Sequence, residues 1–362
     1  MFKLGVFLLP TFFVLASIFL LISALLVSIK KYISFFKDSW NYPLIIVAVL
    51  MIISSFMNRF SHDKNINFEN WNSNLALLDL ANWLPFFFLF WAFGDFLKTS
   101  KLRKECSIYF ISGSIPLLIS GCIQLSTSIH GPFELFNGLL IWYQREIDKN
   151  DGVSSIFNNA NYYASWLLLI WPFILASFIQ TKSNDYKNKI ISLIVLIAIA
   201  TSLVLTRSRS AWGSLTLSIP LMLGSSSLIW FAPIIIIIFS LLFLSVIPTN
   251  YEIQIFFQSI VPSQLWKEFT SEEFINPVRE LRIDIWIGAL KFIKMSPYLG
   301  LGAGLFPILY QLQSGNWVGH THNIFFELAF NYGIFTSIIL LAFLISLMYE
   351  SYKKINDKDF LN

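Results

Sequence analysis

Residues 228–247 read LIWFAPIIIIIFSLLFLSVI, a run without one charged side chain. A helix rising about 1.5 Å per residue needs roughly 20 mostly apolar residues to cross a hydrocarbon layer of about 30 Å, and this run meets that length. Worked outward from it, comparable runs lie near 5–29, 42–57, 81–97, 106–124, 160–180, 190–206, 210–226 and 323–349. The block from Ser210 to Ile247 holds two of these nine spans, with Leu223-Gly224-Ser225-Ser226-Ser227 as the turn between them. The chain of 362 residues is 56% hydrophobic and 13% charged, against about 25% charged in a soluble domain. The expectation is an all-α polytopic membrane helix bundle, one integral membrane domain over 1–362, with its first helix retained.

Lysine and arginine fall in short clusters between the runs: Lys30, Lys31 and Lys37; Lys98, Lys101, Arg103 and Lys104; Lys182, Lys187 and Lys189; Lys353, Lys354 and Lys358. With nine spans all four clusters share one side, which the positive-inside rule makes cytoplasmic, giving an N-out, C-in chain. The segments near 58–80, 125–159 and 248–322 then face outward, the last as one long extracytoplasmic loop. A net charge of +4 without basic runs interleaved by aromatics speaks against nucleic acid as a partner. Cys106 and Cys122 bracket a single run and would lie about 24 Å apart on a helix, too far for a disulfide. No internal repeat of the inverted-transporter kind is visible.

Chemistry-bearing residues collect at the outward ends of the runs. Thr206-Arg207-Ser208-Arg209-Ser210-Ala211-Trp212 sits where the sixth span ends. Arginine there either snorkels to headgroup phosphates or offers its forked donors to an anion. In the long loop, Arg279 and Arg282 stand at i and i+3, opposite Leu281, Ile285, Trp286, Ala289 and Ile293, the pattern of an amphipathic helix at a membrane surface. It leads into Pro297-Tyr298-Leu299-Gly300-Leu301-Gly302-Ala303-Gly304, where glycines permit a tight path that can present amides to an anion. His320-Thr321-His322-Asn323 follows, with Glu327 one turn later. The two histidines lack a third ligand for a metal, and a near-neutral imidazole suits a general base or a packed structural role. Phe157-Asn158-Asn159-Ala160-Asn161 precedes the fifth span, where asparagine caps a helix or bonds sugar hydroxyls. The loop just upstream holds Trp142, Tyr143, Arg145, Glu146 and Asp148, where the aromatics suit either the interfacial belt, the favoured reading, or sugar stacking.

In this order, these motifs resemble the O-antigen ligase and O-antigen polymerase superfamily of bacterial envelope proteins, over roughly residues 150 to 340. The elements that carry the resemblance are Phe157 to Asn161, Ser208-Arg209-Ser210-Ala211-Trp212, Arg282 to Trp286 with Gly300, Gly302 and Gly304, and His322-Asn323. Ligases of the family place Gly-x-x-Gly nine residues after the His-Asn pair; here Gly333 matches and Thr336 stands at the second glycine. Asn158 and Ala160 stand where glycine and proline are common.

The resemblance implies a polyprenyl diphosphate-linked glycan as donor and a hydroxyl on a lipid, glycan or protein as acceptor. It also implies a site facing the periplasm from the bacterial cytoplasmic (inner) membrane, among membrane lipids, with no metal or nucleotide cofactor. His322 is the expected general base. Arg207, Arg209, Arg279 and Arg282 are the expected diphosphate ligands, Arg209 and Arg282 being the members that align with the motifs. His320, Asn323, Gly300, Gly302, Gly304, Asn159 and Asn161 are expected in support. A single displacement would invert the anomeric carbon. The alternative class is a transporter of a small, bicarbonate-like anion, which would need its charged groups near the membrane midplane.

Overall fold

The computed structural model describes residues 1–61, 71–147, 151–182, 184–223, 225–246, 251–261, 266 and 282–355. Helix dominates, as the composition requires. Among the described residues eight helical segments are long and apolar enough to cross a membrane: 13–37, 41–59, 74–97, 100–126, 160–180, 186–205, 229–246 and 334–353. The ninth expected span, 210–226, is a helix of 15 residues, Arg209–Leu223. At about 1.5 Å per residue it reaches about 22 Å, short of a full hydrocarbon layer. The chain divides into two compact units, 1–25 with 96–272 and 354–362, and 26–95 with 273–353.

The first unit holds α1 (Phe2–Leu8), the start of α2 (Phe13–Lys37), α6 (Ser100–Ser126), α7 (Ala160–Gln180), α8 (Tyr186–Leu205), α9 (Arg209–Leu223), α10 (Ser225–Val246) and α11 (Tyr251–Ile260). Its core forms around α7, where Tyr163, Leu167, Ile170 and Ile174 meet Leu117 of α6, Ile199 and Leu203 of α8 and Ala211 of α9. Lipid is as apolar as these side chains, so close packing and interhelical bonds hold the helices, such as the 3.0 Å bond from Trp166 Nε1 to Ser114 Oγ. A polar knot pins the outer loop onto α6. Gln124 Oε1 accepts from the amides of Ser154 and Ser155 at 3.1 and 2.8 Å, while its Nε2 donates to the Arg145 carbonyl at 2.7 Å.

Two features of this unit depart from expectation. The loop after α6 carries a hairpin, β1 (Phe133–Leu135) and β2 (Leu140–Trp142), with Leu135 opposite Leu140. Phe136, Asn137 and Gly138 all take positive φ in its turn, and Asn-Gly is the sequence signal for such a turn. The second departure is at the N-terminus. The apolar run 5–29 is not one helix: the amides of Thr11 and Phe12 both donate to the Leu8 carbonyl, forming a turn around Pro10. Lys3 pairs with Glu105, and the Phe7 carbonyl presses on Gly113, so α1 runs parallel to α6 from its N-terminal end. At the other end of α6, Trp142 Nε1 donates to the Thr11 carbonyl at 2.9 Å and Phe12 stacks on Phe136. Met1 therefore lies beside the basic cluster Lys98 to Lys104.

The second unit holds the rest of α2, α3 (Asn41–Ser61), α4 (Asn74–Leu78) and α5 (Leu84–Phe93), and after the long loop α12 (Arg282–Met295), α13 (Phe306–Ser314), α14 (Ile324–Tyr332) and α15 (Ile334–Ile355). The amphipathic helix exists as α12, but its apolar face serves protein packing. Ile285, Ala289, Phe292 and Ile293 are buried against Leu305, Phe306, Tyr310, Ala329 and Phe330. A second cluster joins Leu44, Val47 and Met51 of α3 to Leu328, Tyr332, Leu340 and Phe343. The expected span 323–349 is divided: α14 ends at Tyr332, Gly333 takes φ 92° and ψ 160°, and α15 begins at Ile334. A Cβ on Gly333 would stand 2.0 Å from the Tyr298 carbonyl oxygen, so the break is fixed by a neighbour 35 positions upstream.

Candidate active site

In the first unit the arginine motif forms a tight turn between α8 and α9. Thr206 is buried and its hydroxyl donates to the Leu203 carbonyl at 2.7 Å. Arg207 then takes φ 55°, a left-handed conformation that turns the chain into α9 and leaves its side chain exposed. Arg209 opens α9 and is half-buried. Trp212 latches the turn from behind, its Nε1 donating to the Leu203 carbonyl at 3.0 Å. The outer loop docks on the same turn: Val153 N donates to the Leu205 carbonyl at 3.0 Å, and a Cβ on Gly152 would stand 1.9 Å from the Thr206 oxygen.

That loop leads straight into the asparagine motif. Asn159 is the N-cap of α7, its side chain accepting from the Asn161 amide at 2.7 Å. Asn161 is exposed in the first turn. Arg145 donates to the Asn158 carbonyl at 3.0 Å and faces Asp151 at 3.5 Å. The loop thus adds a third arginine to this face of the unit. Its signal in the sequence was only its charge.

In the second unit the glycine motif is a docking loop. Gly300, Gly302 and Gly304 have φ of 68°, 94° and 79°, which explains glycine at all three. Their amides are less available to a ligand than the spacing suggests. Gly300 N donates to Ser296 O at 2.9 Å, Leu301 N to Phe330 O at 2.6 Å and Gly302 N to Asn331 O at 3.3 Å, so the loop closes the end of α14. Side chains clamp it from outside: Ser54 Oγ and Asn58 Nδ2 both donate to the Leu299 carbonyl, and Trp71 Nε1 donates to that of Ala303 at 3.1 Å. Tyr332 in turn donates to Asp79 at 2.6 Å.

The histidine motif sits at the opposite end of α14. Asn323 is the N-cap, its side-chain oxygen accepting from the amides of Phe325 and Phe326 at 2.9 and 3.3 Å. Thr321 is fully buried. Between them His322 takes φ 53° and is exposed, with the His320 ring 4.2 Å away, centroid to centroid. Arg282 lies near this end too. Trp286 of α12 meets Phe326 of α14 at 6.0 Å, and further along both helices Phe292 meets Phe330 at 6.2 Å, so the two helices run parallel. Arg282 and His322 each lie four residues before that first pair, about 6 Å along the axis, at the shared N-terminal end. Arg279 lies outside the described residues.

Of the expected residues, then, the first unit gathers Arg207, Arg209, Asn159 and Asn161 on neighbouring turns. The second gathers Arg282, His320, His322 and Asn323 at one end of a helix pair, with the glycines at the other. Among the described residues no group of three or more His, Cys, Asp or Glu side chains is placed to hold a metal. Residues 193–341 match the family model Wzy_C, described as O-Antigen ligase. That match takes in the arginine, glycine and histidine motifs and begins after the asparagine motif. No curated protein and no solved structure matches the chain. The motifs, their order and the matched region agree: residues 193–341 of this membrane protein are similar to the O-antigen ligase family, a match that supports the O-antigen ligase/polymerase-like superfamily.

Proposed function

We propose that this protein transfers a glycan from a polyprenyl diphosphate-linked donor to an acceptor hydroxyl, at the extracytoplasmic face of the bacterial cytoplasmic membrane and without a metal. The observation that carries the reading is His322, set outward from a left-handed turn between a buried threonine and a helix cap. A histidine held in a sparsely populated backbone region needs a reason, and a general base is one.

The reaction is a displacement at the anomeric carbon. The acceptor oxygen forms the new bond to that carbon, and its proton passes to His322. The bond from the carbon to the diphosphate oxygen breaks, and the leaving diphosphate keeps the electron pair. Positioned base catalysis of this kind is worth roughly 10²–10⁴-fold. Arg282, by its motif, with Arg279 three residues before it, supplies donors for the charge that grows on the diphosphate, each such contact worth about 3–4 kcal/mol. Arg207 and Arg209 form an anion-recognising element of the first unit in their own right. Arg209 opens a helix, where the positive end of the backbone dipole opposes a cation, and a bound anion relieves that conflict. The prenyl tail lies along apolar helix faces while the sugar projects outward.

The stereochemistry of the product tests this chemistry. A single displacement predicts that a donor of one anomeric configuration gives a product of the other, read from one-bond carbon–hydrogen couplings. Retained configuration would require a covalent glycosyl intermediate and would refute the role given to His322.

A further inference from the structure

We infer that Glu327 and Thr321 are positioning residues that hold the His322 turn in its working direction, a reading that rests on His322 as the base. Four hydrogen bonds surround a residue that itself takes φ 53°. Glu327 Oε2 accepts from the Thr321 amide at 2.9 Å. The Thr321 hydroxyl donates to the Asn323 carbonyl at 2.9 Å and accepts from the Asn323 amide at 3.4 Å. The Glu327 amide donates to the Asn323 carbonyl at 2.9 Å.

The pattern differs from ordinary helix capping. In a capping box the acid three residues into the helix reaches back to the amide of the N-cap itself. Glu327 stands one position later, passes over Asn323 and His322, and takes the amide two residues before the cap. The bond therefore closes a ring of chain around His322 without adding to the cap that Asn323 already provides. Thr321, with no exposed surface, anchors one side of that ring and Asn323 the other. The imidazole is left to point outward beside His320. A carboxylate in the first turn is also favoured by the helix dipole, so the anchor suits its place.

Steady-state transfer by the full chain in liposomes, with a polyprenyl diphosphate-linked glycan and an acceptor, tests this. A misplacement of the order of 1 Å costs up to about 10²-fold in rate. Glu327→Ala and Thr321→Val should therefore lower kcat by about tenfold or more, with the donor KM within about twofold. Glu327→Gln and Thr321→Ser keep the acceptor oxygen and the hydroxyl. They should restore kcat to within about threefold of the parent and leave its pH profile in place. Should Glu327→Ala fail to insert, the Thr321→Val and Thr321→Ser pair makes the same comparison. A parental kcat in both Glu327→Ala and Thr321→Val overturns the proposal. So does a Glu327→Gln variant as slow as Glu327→Ala, which would assign the effect to charge. His322→Ala, run alongside, separates the two claims: full activity there refutes the base itself, whereas an inactive His322→Ala beside fully active Glu327→Ala and Thr321→Val refutes only the positioning.

Discussion

Replacing Gly333 by alanine perturbs the point where the glycine loop, the end of α14 and the start of α15 meet. Gly333 takes φ 92° and ψ 160°, a region open almost only to glycine, and forcing another residue there costs about 1–3 kcal/mol. The new Cβ would also stand 2.0 Å from the Tyr298 oxygen and 2.5 Å from its carbonyl carbon. Both are backbone atoms, so relief means shifting the loop. That shift stretches the 2.8 Å bond from Ile334 N to Pro297 O and the 2.6 Å bond from Leu301 N to Phe330 O, each worth about 0.5–1.5 kcal/mol. The expected loss is about 2–6 kcal/mol. Gly213 is the control: it lies inside α9, and nothing stands within 4 Å of a Cβ there. Gly213→Ala should be neutral or stabilise by up to about 1 kcal/mol. Thermal unfolding of both variants in detergent, followed by loss of the monodisperse elution peak, reads the difference. A Gly333→Ala midpoint equal to that of Gly213→Ala would refute the reasoning.

Asn159→Ala should cost about 1 kcal/mol of stability through the lost cap of α7 and leave transfer unchanged, with Asn159→Asp retaining both; a selective rise in donor KM would assign Asn159 to sugar binding instead. Arg282→Ala should lower transfer by about 10²–10³-fold in kcat, and Arg282→Lys should recover only part of it, because an ammonium lacks the forked donor set; an Arg282→Lys rate equal to the parent's would show that charge alone is needed. With Cys106 and Cys122 replaced by serine, a cysteine at Lys3 should react with impermeant maleimide from the same side as one at Lys101 and from the opposite side to one at Asn161; labelling of Lys3→Cys with Asn161→Cys would support the N-out chain.

Much of this molecule was legible in the sequence where the signal is local. Apolar runs name most of the spans, because length and hydropathy alone decide whether a helix crosses a bilayer. The spacing of Ile285, Ala289 and Ile293 gave the buried face of α12, and Asn159 announced its cap. What the sequence hid depends on distant neighbours. Gly333 reads as one more small residue in an apolar run until the Tyr298 carbonyl is seen against it. The fold-back at Pro10 is masked by apolar residues on both sides, and only Lys3 meeting Glu105 reveals its direction. The glycines of 300–304 were rightly taken as a special backbone path, yet the amides of Leu301 and Gly302 within it serve the end of α14. The histidine turn shows the same division. Its residues stand in plain view in the sequence, while the reach of Glu327 across His322 to Thr321 exists only in the folded chain.

The most direct test of the central claim is transfer by the purified chain in liposomes, with and without His322. The account predicts that the parental protein moves glycan from a polyprenyl diphosphate-linked donor to an acceptor hydroxyl in the presence of a chelator. It predicts that His322→Ala loses about 10²–10⁴-fold in kcat while inserting and eluting normally. Full transfer by His322→Ala, or bicarbonate uptake by proteoliposomes that never show transfer, would contradict it.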